Sequence, residues 1–337
     1  MKQKRIIITG ASGFIGHHLV HEALNRGMEV WAGIRKTSSL DFLDDPRTKF
    51  IYLDYSDEEK LAQQLADFEE KNGHIDYVIH NAGITKTYDK SKFYEVNAEN
   101  THRFINALAK SCSIVKFMLM SSLSTYGPGD EVNFTPIRLD DPQNPNTEYG
   151  KSKLMAEKYV KGQQAFPYVI LRPTGVYGPA DEDYMQEFKC IQAGYDFAIG
   201  KTPQQLTFIY ALDLVRVALD AMEKETIRNK EYIVADGDVH TDMEFAALIE
   251  KVEQRKKVYH FRIPLLLVYV VCVVSEWLGK LFHKSMTLNT DKYQILKQRN
   301  WICDITPLQQ DLDFKAQYPL KRGLEEVIEW YWQRSWF

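Results

Sequence analysis

A tyrosine and a lysine four positions apart are the residues of this chain best suited to proton transfer. Tyr149 and Lys153 stand in the run YGKSK, where positions i and i+4 of a helix share one face. A phenol is a poor acid or base near neutral pH, but an adjacent ammonium group favours the phenolate and brings its pKa toward the working range. The pair therefore predicts a general acid/base.

A serine upstream adds the third group that such chemistry needs. Ser122 directly follows an apolar, strand-like run at residues 116–121. Its hydroxyl would bind the substrate oxygen that Tyr149 protonates. A tyrosine and lysine at this spacing occur often by chance, so the prediction rests on the three residues together: Ser122, Tyr149 and Lys153 as the catalytic set.

A glycine-rich turn follows the first strand and opens a helix in the run TGASGFIG. Gly10, Gly13 and Gly16 allow the backbone to turn tightly and to approach a pyrophosphate, which then lies on the free N–H groups of the helix. The turn predicts a dinucleotide site. Its candidate contacts are Gly10, Ser12, Gly13, Phe14, Ile15 and Gly16.

The end of the second predicted strand indicates which dinucleotide is preferred. NAD sites place an Asp or Glu there to bind the ribose hydroxyls, and that carboxylate repels the 2′-phosphate of NADP. Here the position holds Ile34, followed by Arg35 and Lys36. A guanidinium can pair with a phosphate and stack on adenine, so Arg35 predicts NADP as the preferred cofactor, with NAD as the alternative.

These motifs, together with three further runs, resemble the extended short-chain dehydrogenase/reductases, the NAD-dependent epimerase/dehydratase family. The further runs are HNAG at 80–83, SSLSTYG at 121–127 and LRPTGVYGP at 171–179. The resemblance runs in order from residue 4 to about residue 213. It implies a Rossmann fold, a bound nicotinamide dinucleotide and the same catalytic set.

Within the family pattern, other positions acquire expected roles. Asp54 would hydrogen-bond the adenine, and Asn97 would either brace the sheet or serve as an ordinary helix N-cap. Tyr210 and Asp213 match a Y-x-x-D element of the family. Further expected cofactor contacts are Ala82, Gly83, Pro173 and Val176, and the expected substrate contacts are Ser122, Thr174 and Tyr210.

Three functions remain open at this stage. Gly175 replaces the Asn, and Gln205 or Leu206 the Arg, with which nucleotide-sugar enzymes of the family hold their substrate. The first expectation is therefore hydride transfer to or from an apolar ketone or alcohol, as in the dihydroflavonol reductase and 3β-hydroxysteroid dehydrogenase branches. The alternatives are a nucleotide-sugar epimerase or dehydratase with tightly bound NAD, and a non-catalytic redox sensor or scaffold.

The elements that position these residues alternate between strands and helices. Short β-branched runs predict strands at 5–9, 29–34, 49–53, 77–80, 116–121 and 168–172, with helices at 13–26, 58–72, 97–112 and 148–162. This order predicts an α/β, doubly wound parallel sheet. A Rossmann domain would span 1–175 and a smaller, mainly helical substrate lobe 176–337, with part of 206–235, including strands at 206–209 and 231–235, returning to the sheet.

An apolar run at 263–274 is too short to span a bilayer, which takes about 20 residues. The first expectation is a buried helix that covers an apolar pocket. Peripheral membrane contact through 263–278 and a dimer surface are the alternatives. A homodimer is a further expectation from the resemblance.

Composition limits the partners. The 337 residues carry 42 Lys and Arg against 46 Asp and Glu, a formal charge of −4, which argues against nucleic-acid binding. The four cysteines lack metal-ligand spacing and predict reduced thiols in a cytoplasmic protein without a metal. The apolar stretch after residues 2–5 is too short for a signal peptide and predicts a first strand instead.

Overall fold

The computed structural model describes residues 3–255 and 257–336. Its strands are β1 Arg5–Thr9, β2 Glu29–Gly33, β3 Lys49–Ile51, β4 Tyr77–His80, β5 Lys116–Met120, β6 Tyr168–Pro173, β7 Gly175–Tyr177, β8 Tyr195–Ile199, β9 Gln205–Leu206, β10 Phe208–Tyr210, β11 Lys230–Val234, β12 His240–Thr241 and β13 Tyr259–Ile263. Its helices are α1 Phe14–Asn25, α2 Glu58–Asn72, α3 Ser91–Phe93, α4 Asn100–Ser111, α5 Glu148–Gly162, α6 Met185–Gln192, α7 Ala211–Glu223, α8 Asp242–Val252, α9 Leu265–Leu281, α10 Thr290–Leu296, α11 Thr306–Leu312 and α12 Leu320–Gln333.

The central sheet has seven parallel strands in the order β11-β6-β5-β4-β1-β2-β3. The chain winds outward from β1 in one direction to β3 and then returns to β4 on the other side. This change of direction opens a crevice between the carboxyl ends of β1 and β4, where open α/β sheets bind their ligands. The predicted Rossmann fold is confirmed.

Both faces of the sheet are buried, as the continuous apolar strands require. In β1, Ile6 and Ile8 face one core cluster, which includes residues of α1 and α7, while Ile7 faces the other. Leu61 of α2 and Phe104 of α4 lie in that second cluster, which also takes in part of α5. Helices therefore cover both sides and hold the strand ends at fixed positions.

The predicted strands of the first half are all present, with ends displaced by no more than two residues. The helix expected over 97–112 begins at Ser91, because a π-helical segment, Tyr94–Glu99, joins α3 to α4. The strand expected over 206–209 is two short strands, β9 and β10. Four further strands, β7, β8, β12 and β13, were not expected from the sequence.

The second half of the chain builds a lobe with its own core. Phe188 of α6, Phe208 of β10, Phe245 of α8 and Tyr331 of α12 meet in this core. β11 returns to the main sheet beside β6, so the lobe consists of separated pieces of chain. A domain boundary near residue 175 stays a prediction.

The long irregular connection at 127–147 is held against the lobe by Asn300. The side-chain amide of this fully buried residue donates hydrogen bonds to the backbone oxygens of Asp130 and Thr135, each at 2.9 Å. Ile137 pairs through its backbone with Ile302, whose carbonyl oxygen accepts its N–H at 2.8 Å. The connection is therefore a loop, as expected, with a defined course.

The expectation that the apolar run at 263–274 is buried is wrong. The run forms most of α9, but among the residues of α9 only Val268, Cys272 and Gly279 are buried. Leu266 is 74% exposed and Trp277 62% exposed. The helix therefore contacts the rest of the fold along one narrow stripe, and its broad remaining apolar side faces outward.

Within the described ranges, no helix is long and apolar enough to cross a membrane. No group of three or more potential metal-ligating side chains occurs among the residues placed by the structure. Cys112, Cys190, Cys272 and Cys303 are all free thiols, which agrees with the prediction from their spacing.

Three buried histidines stay neutral in the folded state. Burial lowers the pKa of His17 to about 4 and the pKa of His18 to about 3. His80, on β4, is fully buried and its pKa is lowered to about 3, mainly by burial and further by the charge of Lys153. Each ring keeps a polar partner; the Nε2 atom of His18 lies 3.0 Å from the backbone oxygen of Pro179.

These histidines predict a loss of stability in mild acid. Their pKa is near 6.5 in the unfolded chain, so below that pH the unfolded state binds protons that the folded state excludes. The free energy of unfolding should fall from pH 6.5 toward pH 4, by up to about 1.4 kcal/mol per pH unit for each histidine. Urea denaturation at pH 7.5, 6 and 5 measures the slope.

His18→Gln should make that slope shallower, because glutamine cannot titrate but retains a donor for the Pro179 carbonyl. His283→Gln is the matched control at an exposed position. Equal slopes for the wild type and His18→Gln would contradict the account.

Candidate functional site

Two loops meet in the crevice between β1 and β4. Gly10 has a φ of 65°, in the left-handed region, and a Cβ atom there would lie 2.8 Å from the backbone nitrogen of Ala82. The amide of Asn81 also donates to the Gly10 carbonyl oxygen at 3.4 Å. A side chain at position 10 would therefore push apart the two loops that line the crevice.

The first turn of α1 is left open for an anion. Gly13 is the N-cap and supplies no side-chain cap, and the first turn contains no acidic residue. Gly16 packs on the turn itself, since a Cβ atom there would lie 2.0 Å from the Gly10 carbonyl oxygen. Ser12, Phe14 and Ile15 are partly exposed at the same turn. Free N–H groups and the positive end of the helix dipole thus converge beside the crevice.

A buried chain of hydrogen bonds connects the end of β1 to β4 and α4 beneath the crevice. The hydroxyl of Thr9 contacts Nδ1 of His80 at 2.9 Å and accepts the backbone N–H of Ala82 at 3.2 Å. On the other side, Nε2 of His80 lies 3.0 Å from the Thr101 hydroxyl, which donates to the Asn97 carbonyl oxygen at 2.7 Å. Because the Thr101 hydroxyl donates onward, His80 carries its proton on Nε2.

Ser122 and Tyr149 lie together at the carboxyl end of β5. A hydrogen bond with the Ser122 side chain lowers the pKa of Tyr149, but burial acts more strongly and raises it to about 12. Lys153 is not among the groups that shift this pKa in the structure, so its expected effect on Tyr149 during catalysis stays a prediction. The Tyr149 hydroxyl is therefore protonated near neutral pH and set to donate.

Lys153 is buried and points back toward the sheet. Its Nζ atom donates to the carbonyl oxygen of Met120, the last residue of β5, at 2.6 Å. A Cβ atom at Gly83 would lie 3.7 Å from the same Nζ, so Lys153 also borders the β4 loop. Burial lowers the pKa of Lys153 to about 8, against the opposing charge of Glu157.

Asn97 joins three parts of the site and is not an N-cap. It lies in the π-helical segment, 1% exposed, and its amide oxygen accepts the backbone N–H of Ile84 at 2.8 Å. Its amide nitrogen donates to the Ile84 carbonyl oxygen at 3.1 Å and to the Ser152 hydroxyl at 3.0 Å. Of the two roles left open by the sequence, the bracing role is the one observed.

The start of α5 has a second cap that the sequence did not reveal. Thr147 accepts the N–H of Gly150 at 2.9 Å, as expected for an N-cap. The backbone N–H of Tyr149 is bound by the carboxylate of Asp291, on α10, at 3.1 Å. These two residues are 142 positions apart, and no local pattern could have predicted their contact.

A buried ion pair fixes α5 to the sheet. Glu157 of α5 is 0% exposed and Arg172 of β6 is 1% exposed, and their side chains meet at 2.7 Å. Arg172 also pairs with Glu231 on β11, and Ser121 donates to Glu157. The sequence did not predict this network, because nothing in the pattern around the two charged residues indicates that they form an ion pair.

The predicted adenine-end contacts, Arg35 and Asp54, follow β2 and β3, and their role toward a cofactor stays a prediction. Ile34 is buried just after β2, while Arg35 is exposed, and its guanidinium makes no hydrogen bond or ion pair to any described residue. Asp54 follows β3 in a turn, where its carboxylate is bound by Ser56 and Lys60 and its pKa is lowered mainly by Lys60.

The remaining candidate contacts lie at the end of β6 and directly after it. Pro173 is buried, and Thr174 bonds to the Thr207 carbonyl oxygen at 2.9 Å, while Val176 is partly exposed on β7. Gly175 makes room for Tyr184, since a Cβ atom at 175 would lie 2.3 Å from the Tyr184 hydroxyl oxygen.

Tyr210 lies on β10 beside β7, which carries Val176, but its side chain is buried in the lobe core. It is 1% exposed and stacks on Tyr318 at a ring distance of 4.5 Å in the lobe core. Asp213 binds the backbone N–H groups of Gln317 and Tyr318 and pairs with Arg216 at 2.8 Å. In the structure, both residues of the Y-x-x-D element hold the chain segment that leads into α12.

Comparison with known proteins identifies the family. The model of the NAD dependent epimerase/dehydratase family matches residues 6–235. A 3-beta-hydroxysteroid dehydrogenase from Mycolicibacterium neoaurum is 25% identical, over 97% of this chain and 91% of that protein. A UDP-glucose 4-epimerase from Vibrio cholerae is 23% identical, over 98% of this chain and 97% of that protein.

The fold is also shared with solved structures. The structure of MoeE5 in complex with UDP-glucuronic acid and NAD has a TM-score of 0.75 to this chain, with 22% identity over 98% of this chain and 99% of the other. The chain belongs to the NAD-dependent epimerase/dehydratase family of extended short-chain dehydrogenase/reductases, which are Rossmann-fold enzymes.

Proposed function

We propose that this chain catalyses hydride transfer to or from a secondary alcohol or ketone carbon, with a nucleotide sugar as its substrate. The observation that carries the proposal is the placement of Ser122, Tyr149 and Lys153 beside the crevice formed by the glycine turn and the β4 loop. Proton transfer and dinucleotide binding would thus share one edge of the sheet.

The catalytic residues would divide the work as follows. Ser122 would hold the substrate oxygen, and Tyr149, protonated because burial raises its pKa, would donate a proton to that oxygen as the carbon is reduced. In the oxidative direction the same hydroxyl would have to lose its proton first. Lys153, held at Met120, would contact the nicotinamide ribose and keep a positive charge beside the phenol.

The crevice fits a nicotinamide dinucleotide. The uncapped start of α1 offers N–H groups to a pyrophosphate, and the Gly10, Gly13 and Gly16 positions leave the backbone uncovered. When bound, the cofactor supplies or accepts the hydride. The proposed contacts at the nicotinamide end are Ala82, Gly83, Pro173 and Val176, and at the adenine end Asp54 and Arg35.

The proposed substrate class rests on the relatives. The Vibrio cholerae protein is a UDP-glucose 4-epimerase, and MoeE5 was solved with a UDP-sugar and NAD. Two departures from the expected sugar-binding residues remain, at Gly175 and at 205–206. At the first of these the Tyr184 hydroxyl occupies the space of the missing side chain, so a polar group is still present there.

An apolar ketone or alcohol is the second candidate. The Mycolicibacterium neoaurum relative is a steroid dehydrogenase. In addition, the side chain that lies beside Gly175 is that of Tyr184, an aromatic residue, rather than an amide. A panel of UDP- and dTDP-hexoses and of hydroxysteroids, followed by NMR of the products, separates the two substrate classes.

Tyr149→Phe should lower kcat on the identified substrate by about 100-fold or more, the usual worth of a general acid/base. The ring contact with Phe93 would remain, and the affinity for the dinucleotide should change little. Steady-state kinetics and a fluorescence titration measure the two quantities separately.

Tyr159→Phe is the matched control, because Tyr159 lies on the same helix and its hydroxyl bonds Glu99, away from the crevice. Full turnover in Tyr149→Phe would overturn the proton-transfer role. Absence of turnover in the wild type across the whole panel would favour the non-catalytic alternative.

We further propose that NADP is preferred over NAD. Arg35 is exposed with no carboxylate or other partner among the described residues, and Ile34 leaves no acidic group to repel a phosphate. Because this ribose binds far from the reacting carbon, cofactor preference does not decide between the two substrate classes.

Arg35→Gln should reduce the ratio of NADPH to NADH affinity by about tenfold or more, since a charge-assisted phosphate contact contributes roughly 1.5–3 kcal/mol. Calorimetric titration of both cofactors measures the ratio. Arg138→Gln makes the same chemical change at an exposed arginine of the 127–147 loop and should leave it unchanged. A wild type that prefers NADH would reject the preference outright.

Gly16→Ala should weaken dinucleotide binding by at least about tenfold, which corresponds to roughly 1.4 kcal/mol. The added methyl would overlap the Gly10 carbonyl oxygen and displace the turn. Gly162→Ala, on α5, has nothing within 4 Å of the added atom and should bind like the wild type. Thermal melting reports any loss of fold, and unchanged affinity in Gly16→Ala would contradict the proposed cradle.

A further inference from the structure

Among the described residues, α9 and Phe282, which follows it, carry many exposed large apolar side chains. Leu266, Val270, Trp277, Leu281 and Phe282 are between 48% and 74% exposed. We call the outward side of α9 together with Phe282 the α9 face. Contiguous apolar surfaces of this kind mark binding sites on soluble domains.

The α9 face is unusually wide for a helix-packing surface. At 100° per residue, the three buried residues of α9, Val268, Cys272 and Gly279, fall within about 40° of one another. The exposed apolar side chains, from Tyr269 round to Val271, cover about 200° of the circumference. A partner helix covers one narrow stripe, whereas a helix lying in a lipid interface has apolar contact on its whole lower side.

An aromatic strand pair directly precedes α9 in the chain. β13 pairs with β8, and both present aromatic rings to the outside, with the rings of Phe197 and Phe261 stacked at 5.8 Å. Tyr195 and Tyr259 stack beside them at 6.3 Å, and all four rings are 46–50% exposed. Aromatic side chains are the residues that favour the boundary between lipid headgroups and acyl chains.

The chain segment that carries the α9 face is positively charged although the whole chain is negative, and within it Arg262 lies 3.9 Å from Asp242. Residues 257–284 contain Lys257, Arg262, Lys280 and Lys284 against the single carboxylate of Glu276. That carboxylate is only 12% exposed and pairs with Lys280 at 2.8 Å. Two copies of this surface would bring like charges together, while an anionic lipid surface would complement them.

The inner side of α9 is fixed to the fold near the catalytic helix. Glu276 binds the backbone N–H of Thr290 at 2.9 Å and lies 3.6 Å from Lys90. The next residue, Asp291, is the one that caps Tyr149 at the start of α5. The α9 face is thus a firmly attached surface close to the site.

From these observations we propose that the α9 face binds the surface of an anionic lipid bilayer, in which α9 lies parallel to the membrane plane. Leu266, Val270 and Trp277 enter the acyl boundary, and Lys280 and Lys284 contact anionic headgroups. The membrane proposal does not depend on the substrate class, since a nucleotide sugar and an apolar ketone or alcohol could each reach a site that opens beside a membrane.

Vesicle flotation of the full chain tests the proposal. The vesicles consist of phosphatidylcholine with 30% phosphatidylglycerol, roughly one anionic lipid in three. The wild type should float with these vesicles and less with pure phosphatidylcholine. Leu266→Glu/Trp277→Glu should lower the partition coefficient by more than about tenfold, because two apolar anchors become carboxylates. Val132→Glu/Met243→Glu makes the same change at residues 85% and 54% exposed elsewhere and should float like the wild type.

Thermal melting checks the fold of both double variants. Should the first one fail to fold, brominated-chain lipids give a second measurement on the wild type. They should quench its tryptophan fluorescence, and Trp277→Phe should remove most of that quenching. A wild type that stays at the bottom of both gradients overturns the proposal. So does a wild type that does not float but sediments as a dimer, with the dimer lost in Leu266→Glu/Trp277→Glu, since a second copy would then cover the face.

Discussion

The site depends on the hydrogen bond from buried Lys153 to the last carbonyl group of β5. This contact, 2.6 Å from Nζ to the Met120 oxygen, ties the middle of α5 to the carboxyl end of the sheet. One turn earlier, Tyr149 is then held beside Ser122, which follows the same strand. The buried Glu157–Arg172 pair, one turn later, fixes the rotation of α5. The hydroxyl group to which we assign proton transfer is thereby held at the carboxyl end of the sheet.

The same edge of the sheet explains why a dinucleotide fits there. The strand order reverses between β1 and β4, and the loops after these strands approach so closely that Gly10 tolerates no side chain. His80 connects β1 to α4 through its contacts with the Thr9 and Thr101 hydroxyl groups. The proposed dinucleotide site and the proposed acid/base group are neighbours because the strand topology opens a crevice at this edge of the sheet.

Sequence patterns predicted the parts of this arrangement that are local. Examples are the β-branched runs of the first half, the glycine turn and the i, i+4 pair. In each of them the local structure is determined by residues only a few positions apart. The Asp291 cap on α5 and the hold of Asn300 on the loop at 127–147 join residues more than 100 positions apart. The expectation that α9 is buried was wrong for a related reason. An apolar run shows that a segment favours a nonpolar environment, but whether the protein core provides that environment depends on the fold.

A crystal structure of the protein with NADPH tests the central claim most directly. The account predicts the pyrophosphate over the first turn of α1 and the nicotinamide ring beside Tyr149, with Lys153 at its ribose. A dinucleotide bound elsewhere, or one whose nicotinamide ring points away from Ser122 and Tyr149, would contradict the account.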